Sequence, residues 1–328
     1  MPPPTEAFRV AVVGLGWWGR TILSLLQESE KFEVVQRVDP FVKEAGVTAD
    51  YDESLREPAV QGVILCTPHT LHTEQIVKAA NARKHVFCEK PLSLSRADVL
   101  RAIQAINSNG VTLAVGHEKR FEPPVQEVMR LLKNGELGTP LQIEANFSQD
   151  KFLSLPADNW RLSAKEAPAG PMTATGIHLL DLSVGVFGPA RRVFSSVRQL
   201  GSQLTNGDTL AILVDFGKGH ALISAVLATP FDGRFALYGS KGWAEVRDRA
   251  HPEAPQGWVV TKNIRGKKKE TIEYPPAKAV LANLEAFADA AMGRAPYPVP
   301  QEQMIANVSA LEAIFKSAAS GKVEEVLA

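Results

Sequence analysis

The chain has 328 residues, with 36 lysines and arginines against 36 aspartates and glutamates, so its formal net charge is zero. That balance argues against a nucleic-acid or membrane-surface partner, and the length admits two domains. Two cysteines, Cys66 and Cys88, make no disulfide framework; both end apolar runs and read as buried thiols. No apolar stretch approaches a membrane span, and the first six residues show no basic or apolar leader segment, so a cytoplasmic protein is expected.

The first stretch with a mechanism is 10–19, where β-branched apolar residues run into Gly14-Leu15-Gly16-Trp17-Trp18-Gly19. A helix over 21–27 and a strand over 32–38 follow, and the strand ends at Asp39. Strand, glycine turn, helix, strand and acid in that order form a dinucleotide-binding fingerprint. Gly14 allows the tight turn, Gly16 lets the backbone approach a pyrophosphate, and Gly19 lets the helix pack on the strand. The helix N-terminus then offers unpaired N–H groups to the phosphates. Asp39 favours NAD over NADP, because a carboxylate accepts from the ribose 2′-OH and repels a 2′-phosphate. Arg37 and Lys43 stand close by in sequence and leave NADP as the less favoured cofactor.

Further on, a polar helix is expected over 52–57, a buried strand over 62–66 ending in Thr67-Pro68-His69, and a helix over 71–82. A short strand over 85–88 stops at Glu89-Lys90-Pro91, Ser95 caps a helix to 107 with Gly110 beyond its end, and 111–115 is a strand. Strands alternating with helices mean a doubly wound parallel sheet, whose ligands sit at the strands' carboxyl ends. Gly14, Asp39, Thr67 and Lys90 all occupy such ends. The pattern changes near residue 120, which divides the chain into a dinucleotide-binding domain over 1–120 and a second domain over 121–328. The second domain reads as a helix over 125–133, a strand over 141–147, a helix over 177–187, seven strands between 191 and 274, and two closing helices, about 277–292 and 301–319. Strands without intervening helices make an antiparallel sheet. The fold class is therefore α/β followed by α+β.

Oxidation of an alcohol needs a base at the hydroxyl and a partner that positions it. Lys90 lies at a strand-end turn and suits the base, provided burial or a neighbouring cation lowers its pKa; a surface pair with Glu89 is the alternative. His178 opens the 177–187 helix, with Asp181 on the same face to orient it; a helix-start histidine satisfied by backbone is the alternative. His69 and His72 have a His-x-x-His spacing, yet no cysteine or carboxylate cluster completes a ligand set, so no metal is expected. A helix-start role or a cofactor contact suits them better. Arg161, beside Trp160, is placed to hold a polar or carboxylate substrate or to form a surface pair. His117 and Arg120, just past the strand ending at Val115, share that ambiguity.

With these residues in view, the sequence resembles the glucose–fructose oxidoreductase / inositol dehydrogenase (Gfo/Idh/MocA) family over nearly its whole length. The glycine turn, Cys66-Thr67-Pro68, Leu71-His72-Thr73-Glu74 and 84–91 with its Glu89-Lys90-Pro91 carry the likeness, together with 115–121 and 176–182. The resemblance implies an N-terminal Rossmann domain and a C-terminal domain on an open, mainly antiparallel sheet that supports homodimers or homotetramers. It implies that Lys90 is the catalytic lysine and that His178 meets the substrate hydroxyl. It also places Glu89, Thr67, Pro68, His69 and His72 beside the cofactor, with Trp17 and Trp18 in the glycine turn. One departure matters: many members carry Asp four residues before the histidine, where this chain has Ala174. Thr173 or Thr175, or a carboxylate from elsewhere, then has to fill that role. The expected activity is NAD-linked oxidation of a secondary alcohol in a sugar, polyol or cyclic diol bound between the domains. A non-catalytic dinucleotide or sugar sensor is the first rival, and a ping-pong enzyme that never releases its cofactor is the second.

Overall fold

The computed structural model describes residues 7–327; the reading of residues 1–6 as lacking a leader lies outside them. Two compact units emerge, one running to Gly116 and including Val280–Met304, the other holding His117–Ala279 and the chain from Ile305 onward.

The first unit is built on a six-stranded parallel sheet. Its strands are β1 (Phe8–Val13), β2 (Phe32–Val38), β3 (Val47–Thr48), β4 (Gly62–Leu65), β5 (His85–Cys88) and β6 (Leu113–Val115), in the order β3-β2-β1-β4-β5-β6. All of β4 is buried, as an apolar run in a sheet covered on both faces should be. Helices α1 (Trp17–Leu26), α2 (Tyr51–Arg56), α3 (His72–Asn81) and α4 (Arg96–Asn109) cross between strands. The Ser95 hydroxyl accepts from the Asp98 N–H at the start of α4, and Gly110 ends the helix at a φ of 65° that a Cβ would disfavour. Because β1 pairs with β2 on one side and β4 on the other, the strand order reverses at β1. In such sheets the crevice that takes a ligand opens at that reversal.

The second unit begins with α5 (Pro123–Lys133), β7 (Pro140–Ser148) and α6 (Ile177–Phe187). A nine-stranded sheet follows, adding β8 (Arg192–Arg198), β9 (Thr209–Asp215), β10 (His220–Val226), β11 (Asp232–Gly239), β12 (Gly242–Asp248), β13 (Trp258–Ile264), β14 (Glu270–Tyr274) and β15 (Glu324–Glu325). Neighbours are antiparallel except β7 and β10, which run parallel in the middle. Nine of the eleven α6 residues are buried, so this helix is apolar nearly all round and forms the centre of the unit. It shares its core with Ile143, Phe147, Ile212 and Phe235 from the sheet.

Helices α7 (Ala279–Ala291) and α8 (Gln301–Ser320) close the chain. From α7, Val280, Leu284, Phe287 and Ala288 complete the core of the first unit. Phe287 sits edge-on to Phe8 at 5.4 Å and beside Phe87 at 5.8 Å, the geometry aromatic quadrupoles favour. Residues 279–291 thus return to the parallel sheet after the second unit has been laid down.

Candidate active site

The glycine turn of the first unit follows β1. Gly14 has a φ of 89°, and a Cβ there would lie 2.7 Å from the Cys66 carbonyl oxygen. A Cβ on Gly19 would overlap the Gly14 carbonyl oxygen, so α1 packs on the turn only with glycine there. Gly16 differs: among the described residues nothing beyond its chain neighbours lies within 4 Å of its Cβ position, and no side chain caps the helix it begins. The start of α1 is thus an open spot. The buried indole N–H of Trp18 also has no acceptor among the described residues. Trp17 is exposed beside it, with the two rings 5.8 Å apart. This cradle fits a dinucleotide: open where a pyrophosphate must approach, rigid elsewhere, and lined with donors.

Asp39 is buried, and its carboxylate organises the turn. Oδ2 accepts from the Leu15 N–H at 2.7 Å, while Oδ1 accepts from Phe41 and Val42. Two of the nearby cations are engaged, while Lys43 is exposed. Arg37 donates to the Ala45 carbonyl and Arg20 pairs with Glu44 at 2.6 Å. Glu44 is held below the usual carboxylate range by its hydrogen bond from Arg20.

Two loops that end β4 and β5 are strapped together by one buried histidine. His72 Nδ1 lies 2.8 Å from the Pro91 carbonyl oxygen and Nε2 lies 3.0 Å from that of Thr67. His72 thus fixes the loops bearing Thr67-Pro68 and Glu89-Lys90, with its own ring wholly inside the protein. His69, also buried, sits at 5.9 Å from the His72 ring. Lys90 is half-buried; its backbone N–H donates to Glu89 Oε2 at 3.2 Å. Glu89 itself is buried, and its carboxylate fills the space over Gly116, where a Cβ would come within 2.5 Å of Oε2. The end of β6 beneath it is held from α7 and beyond: Asn283 Nδ2 donates to the Val115 carbonyl at 2.9 Å, and the Tyr297 hydroxyl lies 3.0 Å from the same oxygen. Sequence reasoning missed Gly116, Asn283 and Tyr297. Only the glycine, standing just past a strand of the parallel sheet, carried any signal.

In the second unit, the turn Glu118–Phe121 (a 3-10 turn) carries a cluster of buried polar groups. Arg120 grips both Asp181 oxygens, Nε to Oδ2 at 2.5 Å and Nη2 to Oδ1 at 2.8 Å. Asp181, expected to orient His178, is instead spent on Arg120, with His117 Nε2 at 3.8 Å. Arg120, expected at the substrate, holds its guanidinium on that carboxylate. The His178 ring stands perpendicular to His117 at 5.8 Å, packs beside Phe147 at 6.2 Å, and presents Nδ1 3.4 Å from Glu118 Oε2. Behind Phe147, Lys119 is buried between Glu122 at 3.1 Å and Asp248 at 3.2 Å. Burial opposes the Lys119 charge, but the Asp248 carboxylate and the hydrogen bond to Glu122 outweigh it and keep the ammonium protonated. Burial pushes the Glu122 carboxyl up to about 8. One cation, one carboxylate and one neutral acid make the cluster electrically balanced.

The segment before His178 is a π-helical turn, Met172–Gly176. Such turns shift the helical phase and are frequent at functional sites. Ala174 within it packs against the apolar group Phe152, Leu204 and Leu227. The Thr173 and Thr175 hydroxyls donate to the carbonyls of Gly170 and Pro171. Trp160 and Arg161 stack on each other, 4.3 Å from guanidinium to ring, in a loop pinned by Asn206.

Comparison with known proteins adds a separate line. Residues 8–117 match the family described as oxidoreductase family, NAD-binding Rossmann fold, and residues 125–245 match the GFO/IDH/MocA C-terminal domain. The uncharacterized oxidoreductase YrbE of Bacillus subtilis is 29% identical over 63% of this chain, a match spanning 60% of that protein. The scyllo-inositol 2-dehydrogenase (NADP(+)) IolW of the same organism is 24% identical over 95% of this chain and 94% of its own length. Among solved structures, the aldose–aldose oxidoreductase of Caulobacter crescentus superposes with a TM-score of 0.85 at 22% identity, covering 98% of this chain and all of that one.

Proposed function

Since the chain belongs to the Gfo/Idh/MocA family of NAD(P)-dependent oxidoreductases, we propose that it oxidises a secondary alcohol of a sugar, polyol or cyclic diol, or reduces the matching ketone. One observation carries this reading. Gly14, Thr67 and Glu89-Lys90 follow the adjacent strands β1, β4 and β5 at one edge of one sheet. A nicotinamide dinucleotide held there would supply the hydride acceptor or donor for the carbinol carbon. The chain's residues do the rest. The N-terminus of α1, with Gly16, binds the pyrophosphate. Thr67, Pro68 and His69 line the cofactor side, and Trp17 and Trp18 flank the turn. Asp39 accepts from the ribose hydroxyls through lone pairs that the backbone leaves open. With Arg20 and Arg37 already committed, NAD is the preferred cofactor.

Lys90 Nζ removes the hydroxyl proton as the alcohol is oxidised and returns it during reduction. Glu89 fixes the backbone of Lys90, and His72 fixes the loop around both. His178 meets the substrate hydroxyl, and His117, Trp160, Arg161 and Thr175 border the substrate. The sensor reading draws support from Ala174, which puts no acid beside the histidine from its own segment. Turnover in a panel of sugars, inositols, polyols, hydroxy acids and aromatic cis-diols, with NAD and NADP offered separately, tests the reading. Reduced-nicotinamide absorbance with one class supports it; cofactor binding without turnover on any class favours the sensor.

The sheet of the second unit supports a homo-oligomer. Phe194, Leu213 and Leu222 are exposed and lie in register across β8, β9 and β10, around a cavity of about 440 Å³. Contiguous exposed apolar rows mark interaction surfaces. We place a second copy of the chain there, so Leu213→Glu is expected to shift the mass in light scattering to the monomer; an unchanged mass contradicts the placement. Neither Cys66 nor Cys88 is in a disulfide, which suits a reducing cytoplasm. No helix among the described residues is long and apolar enough to cross a membrane.

A further inference from the structure

We propose that Glu118 is the carboxylate that positions His178, a role that rests on His178 meeting the substrate as read above. The argument starts from the groups the histidine's own segment offers. Asp181, one turn along α6, has both oxygens gripped by Arg120. Ala174 faces Phe152, Leu204 and Leu227, where a carboxylate would lose its water. The Thr173 and Thr175 hydroxyls are directed to backbone carbonyls. The acid beside the ring comes from a different element, the turn after β6. Glu118 Oε2 lies 3.4 Å from His178 Nδ1, and both residues are more than nine-tenths buried.

The surroundings hold this pair in place. His117 stands perpendicular to the His178 ring, backed by Asp181 and, through it, by Arg120. Phe147 packs beside the ring, and the Lys119 ammonium lies over that phenyl group at 5.1 Å. The same turn therefore carries Glu118 to His178, Arg120 to Asp181, and Lys119 to Glu122 and Asp248. A carboxylate at Nδ1 keeps a proton on that nitrogen and leaves Nε2 as the atom presented to a hydroxyl. It also steadies the ring when Nε2 takes a proton, the same division of labour as in an acid–histidine pair of a hydrolase. At 3.4 Å the two atoms are within ion-pair distance but not aligned as a closed hydrogen bond, and catalytic contacts in substrate-free sites are often long or poorly aligned until substrate orders them. Glu118 touches no reacting atom in this scheme; it is a positioning residue.

Nitrogen-15 NMR of the histidine rings in the full chain tests the pairing without any substrate. The chain has seven histidines, and a His178→Gln variant assigns the signal. At pH 8 the intact protein is expected to show His178 with Nδ1 protonated. In Glu118→Leu, that Nδ1–H signature is expected to disappear in favour of the Nε2–H tautomer. Glu118→Gln, which keeps shape and an acceptor, serves if the leucine variant fails to fold, and is expected to weaken the Nδ1–H signature. An unprotonated Nδ1 in the intact chain, or a signature unchanged in the variants, overturns the proposal. Any substrate returned by the oxidation panel supplies the second arm. There, Glu118→Leu is expected to lower kcat at least about tenfold with KM little changed, because the His178 ring loses the tautomer and orientation in which it works. An unchanged kcat overturns the positioning role. A Lys90→Met variant with normal turnover would overturn the catalytic reading and leave the NMR result on Glu118 standing.

Discussion

Replacing Glu122 by glutamine should reverse part of the protein's pH dependence of stability. The carboxyl group is 1% exposed, one oxygen accepts from Lys119 at 3.1 Å, and the other has no hydrogen-bond partner among the described residues. Burial pushes it up to about 8, whereas the same group in the unfolded chain titrates near 4.3, an ordinary glutamate value. Between those two values the folded chain holds a proton that the unfolded chain has released. Stability from this group is then highest below the unfolded value, and it falls as pH rises, by about 1.4 kcal/mol per unit, until the folded value is passed. Between about pH 5.5 and about pH 7.5 the loss approaches roughly 2.7 kcal/mol, an upper figure because the native site relaxes. Glutamine has nearly the same shape, carries no proton to lose, and keeps an oxygen for Lys119. Stability differences between wild type and Glu122→Gln, read from urea midpoints at the two pH values, are expected to shift in the variant's favour by about 2 kcal/mol on going to the higher pH. Groups common to both proteins cancel in that comparison. A difference independent of pH would mean that Glu122 is ionised in the native state. The balanced Lys119–Glu122–Asp248 cluster, which anchors the turn bearing Glu118 and Arg120, would then be wrongly described.

Gly116→Ala places a methyl group against the Glu89 carboxylate, so it is expected to displace that acid and disturb Lys90 beside it. Turnover should fall by about 10²-fold, the usual penalty for misplacing a catalytic group by an ångström, while cofactor affinity and the thermal midpoint change little. A normal rate would remove Glu89 from the site. Gly16→Ala adds a Cβ in open space and is expected to fold as the wild type does, yet it narrows the approach of a pyrophosphate. Cofactor affinity in a fluorescence titration is expected to drop at least about tenfold; undiminished binding would refute the location of the cradle.

Much of the first unit was legible because its signals are local. A β-branched run, three glycines at fixed spacing and an acid at the next strand end specify β1, the turn, α1 and β2 in order, although α1 begins at Trp17, four residues before the helix expected over 21–27, and β1 at Phe8 rather than Val10. Ser95 and Gly110 bracket α4 for the same reason: caps are read from single residues. The helix over 277–292 was equally plain as a helix. Periodicity shows that a face is buried, though, and not against what, so nothing in the sequence says that Phe287 meets Phe8 and Phe87. The site divides in the same way. Lys90 stands out by its strand-end position and its Glu-Lys-Pro setting, and His178 by opening an apolar helix. Their partners do not stand out, because partnership is long-range. Asp181 shares a helical face with His178 but is claimed by Arg120, sixty-one residues earlier. Glu118 reaches His178 from a turn with no sequence link to α6. His72, read as a helix-start or cofactor contact, binds two carbonyls nineteen and five residues away, and only the folded loops reveal it as a strap. The π-helical turn before His178 left no periodic trace, since its five residues are too few to display a period.

The central claim is that this chain moves a proton through Lys90 during nicotinamide-linked oxidation of a secondary alcohol. The direct measurement compares wild type with Lys90→Met on the substrate class found active in the panel, with cofactor binding followed in parallel. The account predicts that the variant binds NAD as tightly as wild type and loses turnover by about 10²–10⁴-fold, the contribution of a positioned acid–base group. A variant that oxidises the same substrate at a near-normal rate would contradict it.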